Sequence, residues 1–212
     1  MTNNECKTRC RGRPRCFSID EGLTKALEVF WQVGYEHASI ALLCKALNVT
    51  APSLYAAYGS KADLFCKAVD AYENEYWVDA KEEFVKCSSA SKAISDFFAH
   101  AARILTCPET PCGCLVVMAT VNAVTEDWQV VDKLSKIREN TRNLFREKIR
   151  EGIESGEFKR TTESDSFADL LNIILEGMSF QARFGMSAER MFKAVEQVSQ
   201  LIDSIKLKSD KI

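Results

Sequence analysis

The chain has 212 residues, 46% hydrophobic and 27% charged, which is a globular rather than a disordered composition and enough chain to bury a core. Its formal net charge of −2 excludes a uniformly basic nucleic-acid or membrane binder. No stretch approaches a membrane span and the first residues are polar and basic, so no membrane partner and a cytoplasmic location are expected.

Four prolines and nine glycines in this length favour helices over a loop-rich β fold, and the expected class is all-α. Residues 1–17 read as a flexible basic arm carrying Arg11, Arg13 and Arg15, which could enter a minor groove or sit on phosphates. The first helix is expected over Ile19 to Val33. Ser18 and Glu21 have capping-box spacing, and Leu23, Leu27, Phe30 and Trp31 recur on one face. Ser39 is placed to cap a second helix with Leu42, Leu43 and Ala46 on its apolar side. Asn48-Val49 makes a turn, and Thr50 can cap a third helix, with Pro52 tolerated in its first turn. Leu54 and Tyr58 lie four apart, Gly59 stops the helix, and Ser60-x-x-Asp63 begins a fourth. The fourth helix is expected to run unbroken from Lys61 towards Phe84. Two short helices joined by a tight turn form a helix-turn-helix, which presents a helix end to the major groove.

Further helices follow over Ser91 to Leu105 and Asp127 to Ser155, with an apolar, buried stretch from Gly113 to Val124 between them. Phe167, Leu171, Ile174 and Met178 mark the inner side of the penultimate helix. Met191, Val195, Val198 and Ile202 repeat at heptad-like spacing on the last. By pattern alone this seam fits packing inside one subunit as well as packing between two.

The charges are divided unevenly. Through Lys67 there are nine Lys and Arg against six Asp and Glu; the remainder carries 19 against 24. A basic head on an acidic body is what a protein meeting phosphates at one end would carry. No H-E-x-x-H, G-x-S-x-G or phosphate-cradling glycine loop occurs, and there are two histidines, His37 and His100, so no enzyme, metal or cofactor is expected. A helical scaffold would explain the bundle and leave the basic head without a purpose.

The run from Val49 to Leu64, VTAPSLYAAYGSKADL, resembles the DNA-binding signature of TetR/AcrR-type bacterial transcriptional regulators. LEVFWQVGY, residues 27–35, resembles the family's first helix, and Arg11-Gly12-Arg13-Pro14-Arg15 its basic arm. The resemblance covers residues 11 to 67, with Gly113-Cys114-Leu115 recurring in one subgroup. It departs at Ala57, where many members carry His, so any contact from that side chain is absent. It implies a DNA-reading unit over residues 18–66 and a ligand-binding, dimerising body over 67–212. Arg11, Arg13, Arg15, Ser39, Thr50, Ala51, Ser53, Tyr55 and Lys61 are then the expected DNA contacts. Tyr55 lies off the Leu54–Tyr58 face, and Lys61 stands at a helix N-terminus where anions are favoured. The partners implied are operator DNA, a second copy of the chain and a small-molecule effector that releases the repressor. Phe98, His100, Arg103, Met118, Asn122, Trp128, Phe145, Phe180 and Arg183 are candidates for the effector site; Phe167, Leu171, Ile174, Met178, Met191, Val195, Val198 and Ile202 for the dimer interface. An alternative signal is a thiol reagent or a soft metal such as Cu(I) acting through Cys107, Cys112 and Cys114, of which the first two fall in or beside a Pro-bracketed loop.

Overall fold

The computed structural model describes residues 18–121 and 127–207. Among them are ten helices: α1 (Ile19–His37), α2 (Ile40–Leu47), α3 (Ala51–Tyr58), α4 (Lys61–Tyr76), α5 (Val78–Lys86), α6 (Ala90–Leu105), α7 (Leu115–Val121), α8 (Trp128–Glu154), α9 (Ser164–Arg183) and α10 (Ala188–Ile205). The all-α expectation holds; β pairing among the described residues is one isolated bridge between Phe158 and Lys206. Hydroxyls start many of the helices. Ser18, Ser39, Thr50, Ser60, Ser89 and Ser187 each accept a hydrogen bond from a first-turn amide of the helix that follows. At Ser60 the Asp63 carboxylate also reaches back to the cap amide and completes the box. Gly34, at φ 77°, kinks α1 where the sequence places its end.

One helix departs from expectation. The helix beginning at Lys61 breaks at Trp77, whose φ of −123° takes it out of the helical region. The break buries the Trp77 ring beside Phe97, centroids 5.7 Å apart, and His100 Nε2 lies 2.8 Å from the Tyr76 carbonyl exposed by it. Burying a large aromatic and pairing the freed carbonyl offset the lost helical geometry.

Helix α1 lies along α4, and α8 along α9, while α6 packs between α8 and α10. Rings fill the interior at both ends. Phe30 meets Phe65 edge-on at 5.0 Å and Trp31 meets Tyr72 at 4.8 Å; in the body Phe97, Phe84, Phe98 and Phe145 interlock. Glu157 fastens the end of α8 to the start of α6 by accepting from the Ala90 and Ser91 amides and the Ser89 hydroxyl at 2.7, 2.9 and 3.0 Å.

The seam on the last helices is used within the subunit. Leu171, Met178, Met191, Val195, Val198 and Ile202 are each at most 6% exposed in the single chain. The α10 set faces α6, where Ser199 also bonds Ser95 at 3.2 Å. Phe167 and Ile174 are half-buried against the same core. Of the two packings the heptad spacing allowed, these side chains take the intramolecular one. The apolar residues left outside are Leu170 and Ile173 on α9, Phe184 at its end and Phe192 on α10, with Phe184 82% exposed.

Candidate nucleic-acid interface and body cavity

Helices α2 and α3 meet at 87°. Asn48, in the left-handed region at φ 54°, makes the turn, and Val49 N–H closes it on Cys44 O at 3.0 Å. Leu43, Leu47, Leu54 and Tyr58 lock the pair onto the core at 2% exposure or less. Tyr58 Oη donates to Ile19 O at 2.7 Å, so this tyrosine belongs to the interior, as its spacing from Leu54 suggests.

The opposite side carries the expected contacts. Ser39, Thr50, Ser53 and Tyr55 are exposed, and Ala51 is half-buried at the start of α3. Thr50 Oγ1 and Ser53 Oγ lie 3.0 Å apart and Thr50 also caps the Ser53 amide. Each hydroxyl has one donor and two acceptor sites, so capping leaves valency for a base or phosphate. Tyr55, 48% exposed, has no packing reason to be where it is. Lys61 is less free than its position suggests. Its ammonium sits 4.3 Å from the Tyr35 ring centroid and 3.4 Å from Glu36 O. Burial pulls its pKa down, with Glu36 and Asp127 opposing.

The folded head is not itself basic. Residues 18–67 hold Lys25, Lys45, Lys61 and Lys67 against Asp20, Glu21, Glu28, Glu36 and Asp63. The positive excess of the amino-terminal third therefore lies in residues 1–17. Arg11, Arg13 and Arg15 fall there, outside the described residues.

Side chains tie this head to the body at several points. Tyr35 donates to Asp127, and burial together with that bond pushes the phenol well above its ordinary pKa. The Gln129 side-chain amide donates to Asp63 Oδ1 at 3.0 Å. That bond, with those from the Ser60 amide and hydroxyl, holds the Asp63 carboxyl down to about 2. Trp31 Nε1 donates to Gly113 O at 2.9 Å and Arg183 donates to Gln32 O at 2.7 Å, while inside the body Lys133 of α8 pairs with Asp70 of α4.

A cavity of about 40 Å³ lies where α4–α5, α6, α7, α8 and α9 converge. Its apolar wall is Trp77, Phe97, Leu105, Val116, Val117, Ile137 and Leu175. Its polar groups are Glu73 with Lys81, Arg138 with Glu176, Asn172, Thr141 and Cys114. The charges are paired: Lys81 with Glu73, and Arg138 with both Glu176 oxygens at 2.8 and 3.0 Å, Asn172 adding a third bond.

None of the expected effector residues that are described lines this cavity. Phe98 and Phe145 are stacked core rings, 5.8 Å between centroids. His100 serves the α4–α5 break, and with Arg103 borders a separate cleft near Asp79 and Asp96. Trp128 is 76% exposed, Arg183 is exposed and bonded to α1, Met118 and Phe180 are half-buried, and Asn122 is outside the described residues. The polar residues that do line it stand on otherwise apolar helix faces: Arg138 between Leu134 and Thr141, and Asn172 and Glu176 beside Leu171 and Leu175. The cysteines also divide. The Cys114 thiol lies on the cavity wall and burial raises its pKa. Cys107 donates to Glu109 at 3.0 Å and Cys112 is exposed. No group of three or more His, Cys, Asp or Glu able to hold a metal occurs among the described residues.

Comparison with known proteins agrees with this geometry. Residues 23–68 match the family model described as bacterial regulatory proteins, tetR family, and residues 90–198 match the tetracyclin repressor-like C-terminal domain. The chain is 31% identical over 194 residues to the HTH-type transcriptional repressor ComR of Escherichia coli, covering 90% of this chain and 91% of that one. A cysteine-substituted form of the TetR family transcriptional regulator CifR, solved with 26-base-pair double-strand operator DNA, is 35% identical at a TM-score of 0.83, covering 89% of this chain and 98% of the other. A TetR regulator from Rhodococcus is 29% identical, at a TM-score of 0.61, over 88% and 99% of the two chains.

Proposed function

The chain belongs to the TetR family of transcriptional regulators, and from that premise we propose that it is a dimeric repressor whose α3 reads an operator and whose body cavity receives the effector that releases it. The reading divides the chain into the arm 1–17, the DNA-reading unit 18–66 and the body 67–212, acting on DNA in the cytoplasm. The observation that carries it is the capped α2–α3 pair, locked to the core by Leu54 and Tyr58 while Thr50, Ser53 and Tyr55 face outward. Small residues at the start of α3 let the helix end approach base edges, and hydroxyls can bond several of them. Two such helices in a two-fold dimer would enter successive major grooves roughly 34–36 Å apart. The exposed Leu170, Ile173, Phe184 and Phe192 supply the apolar surface for the pairing.

The links through Asp127, Gln129 and Arg183 give the body a grip on the head. An effector that favours one body arrangement shifts operator affinity by its differential affinity for the two states. The test is a band shift on the DNA upstream of the protein's own gene, titrated with salt. Failure to shift that fragment or any other genomic fragment at low salt refutes the repressor reading.

A thiol signal is the second reading, and the exposure of Cys112, five residues after Cys107 in the sequence, favours it. Cys107→Ser with Cys112→Ser should then abolish release of the operator by oxidant. If the wild type ignores oxidant, an organic effector remains.

A further inference from the structure

The outer side of α9 carries an uncharged stripe. Leu170, Ile173, Gly177, Phe180 and Phe184 follow one another at spacings of three and four residues, which puts them on one face of the helix. That face is turned away from the core, since Ala168, Leu171, Met178 and Ala182 are buried on the opposite side. Leu170, Ile173 and Phe184 are exposed, and Phe180 is half-buried. All four charged side chains of α9 are engaged within the subunit. Asp165 and Asp169 pair with arginines of α8, Glu176 pairs with Arg138, and Arg183 donates to Gln32 O.

Gly177 is the anomaly in that stripe. A glycine inside a helix costs stability relative to alanine. Its φ is not positive, unlike those of Gly156 and Gly185, so the backbone does not demand a glycine here. A Cβ added to it would have no described atom within 4 Å, so packing against the described residues does not demand one either. The remaining physical reason is close approach by another backbone. The stripe is also spaced almost evenly about this residue. Apolar side chains stand seven and four residues before Gly177, and three and seven after it. In a two-fold interface a patch faces its own copy, so the middle of the patch meets the middle of the other. A patch centred on glycine lets two helices pack with their backbones close while the larger side chains on either side interlock.

We infer that a second copy of the chain covers this face, and that its α9 crosses this one at Gly177, the position that sets the closest approach of the two subunits. This rests on the dimeric reading above and locates the crossing. It also gives the glycine opposite effects in the two states: absence of a side chain weakens the isolated helix and permits the pairing of two.

Two measurements on the full-length protein test this. The first is subunit exchange between two populations carrying donor and acceptor dyes at the amino terminus, followed by energy transfer, which reads dissociation however tight the dimer. Gly177→Ala should exchange at least roughly tenfold faster than wild type, the scale of an overpacked contact, and Gly177→Leu faster still. If the space over Gly177 is merely a gap, leucine fills it with apolar surface and exchange slows. The second is a thermal melt in the Ile173→Asp background, which should be monomeric by sedimentation. There Gly177→Ala should raise Tm by roughly 2–4 °C, because the helix prefers alanine and no partner opposes it. Exchange by Gly177→Ala or Gly177→Leu at the wild-type rate or slower overturns the crossing while the dimeric reading stands. So does a lowered Tm in the monomer background, which would place the need for glycine inside the subunit, and so does an Ile173→Asp variant that remains dimeric. A wild type that shows no energy transfer at micromolar concentration sinks the dimeric reading itself, and the crossing with it.

Discussion

Gly152→Ala should destabilise the protein, against the usual sign for that change in a helix. Alanine in place of glycine within an open helix is worth roughly 1 kcal/mol in favour. Here a Cβ would sit 2.4 and 2.7 Å from two Phe158 ring carbons and 2.9 Å from the Ala90 Cβ. Neither neighbour can retreat easily, since Phe158 is 0% and Ala90 1% exposed. The Phe158 amide is bonded to Gly152 O at 2.9 Å, and Lys159 N–H to Ile205 O at 2.8 Å, so the backbone on that side is pinned as well. Overpacking of this kind costs about 1–3 kcal/mol and occasionally more. Crowding from two sides puts the cost near the upper end, for a net loss of about 2 kcal/mol after the helix gain. In a chain of this size that lowers Tm by roughly 4–8 °C. The measurement is a calorimetric melt of wild type and variant at matched protein concentration, because dimerisation makes Tm concentration-dependent. An unchanged or raised Tm would show that Phe158 yields, and the argument from close contact would be wrong.

Four other outcomes are expected. Deleting residues 1–17 should weaken operator binding chiefly at low salt. If Arg11, Arg13 and Arg15 of both subunits meet phosphates, the slope of log K against log salt should fall by roughly five, at about 0.9 per contact, and an unchanged slope removes the arm from the interface. Tyr55→Phe should lower affinity for all duplexes alike, whereas Thr50→Ala or Ser53→Ala should change which operator is preferred; a selection on random duplexes separates the two. Ile173→Asp, at a site 66% exposed, should leave a folded monomer of reduced operator affinity by sedimentation and band shift. Val195→Asp, 6% exposed, should instead unfold the body, and a folded monomer from it would restore α10 as the dimer seam. The Glu157 carboxyl, which burial alone would raise, is held below its ordinary value by bonds from Ser91, Ala90 and Ser89. A group depressed on folding contributes stability above its unfolded pKa, near 4.5, and loses it as pH falls through the lower folded value. Glu157→Gln should therefore flatten the acid limb of a stability–pH curve, and an unaltered limb would assign acid unfolding to other carboxylates.

Much of this protein was decided within short windows of chain. Ser39, Thr50, Ser60, Gly34 and Gly59 act on their own few residues, through caps and backbone conformations that need no distant partner, so α1 to α3 and the start of α4 were legible from the residues alone. The outward set Ser39, Thr50, Ser53 and Tyr55 followed, because helical spacing puts them opposite Leu43, Leu54 and Tyr58. What tertiary structure alone decided were choices between equivalent local patterns. The residues around Trp77 have ordinary helical propensity, and the helix breaks there because Phe97 and His100, some twenty positions on, receive the ring and the freed carbonyl. The Met191–Ile202 spacing suits any apolar partner, and α6 takes it inside the subunit. The cavity could not be read from one helix either. Its lining comes from six helices whose charged members, Glu73 with Lys81 and Arg138 with Glu176, look like surface residues until the fold brings each beside its opposite.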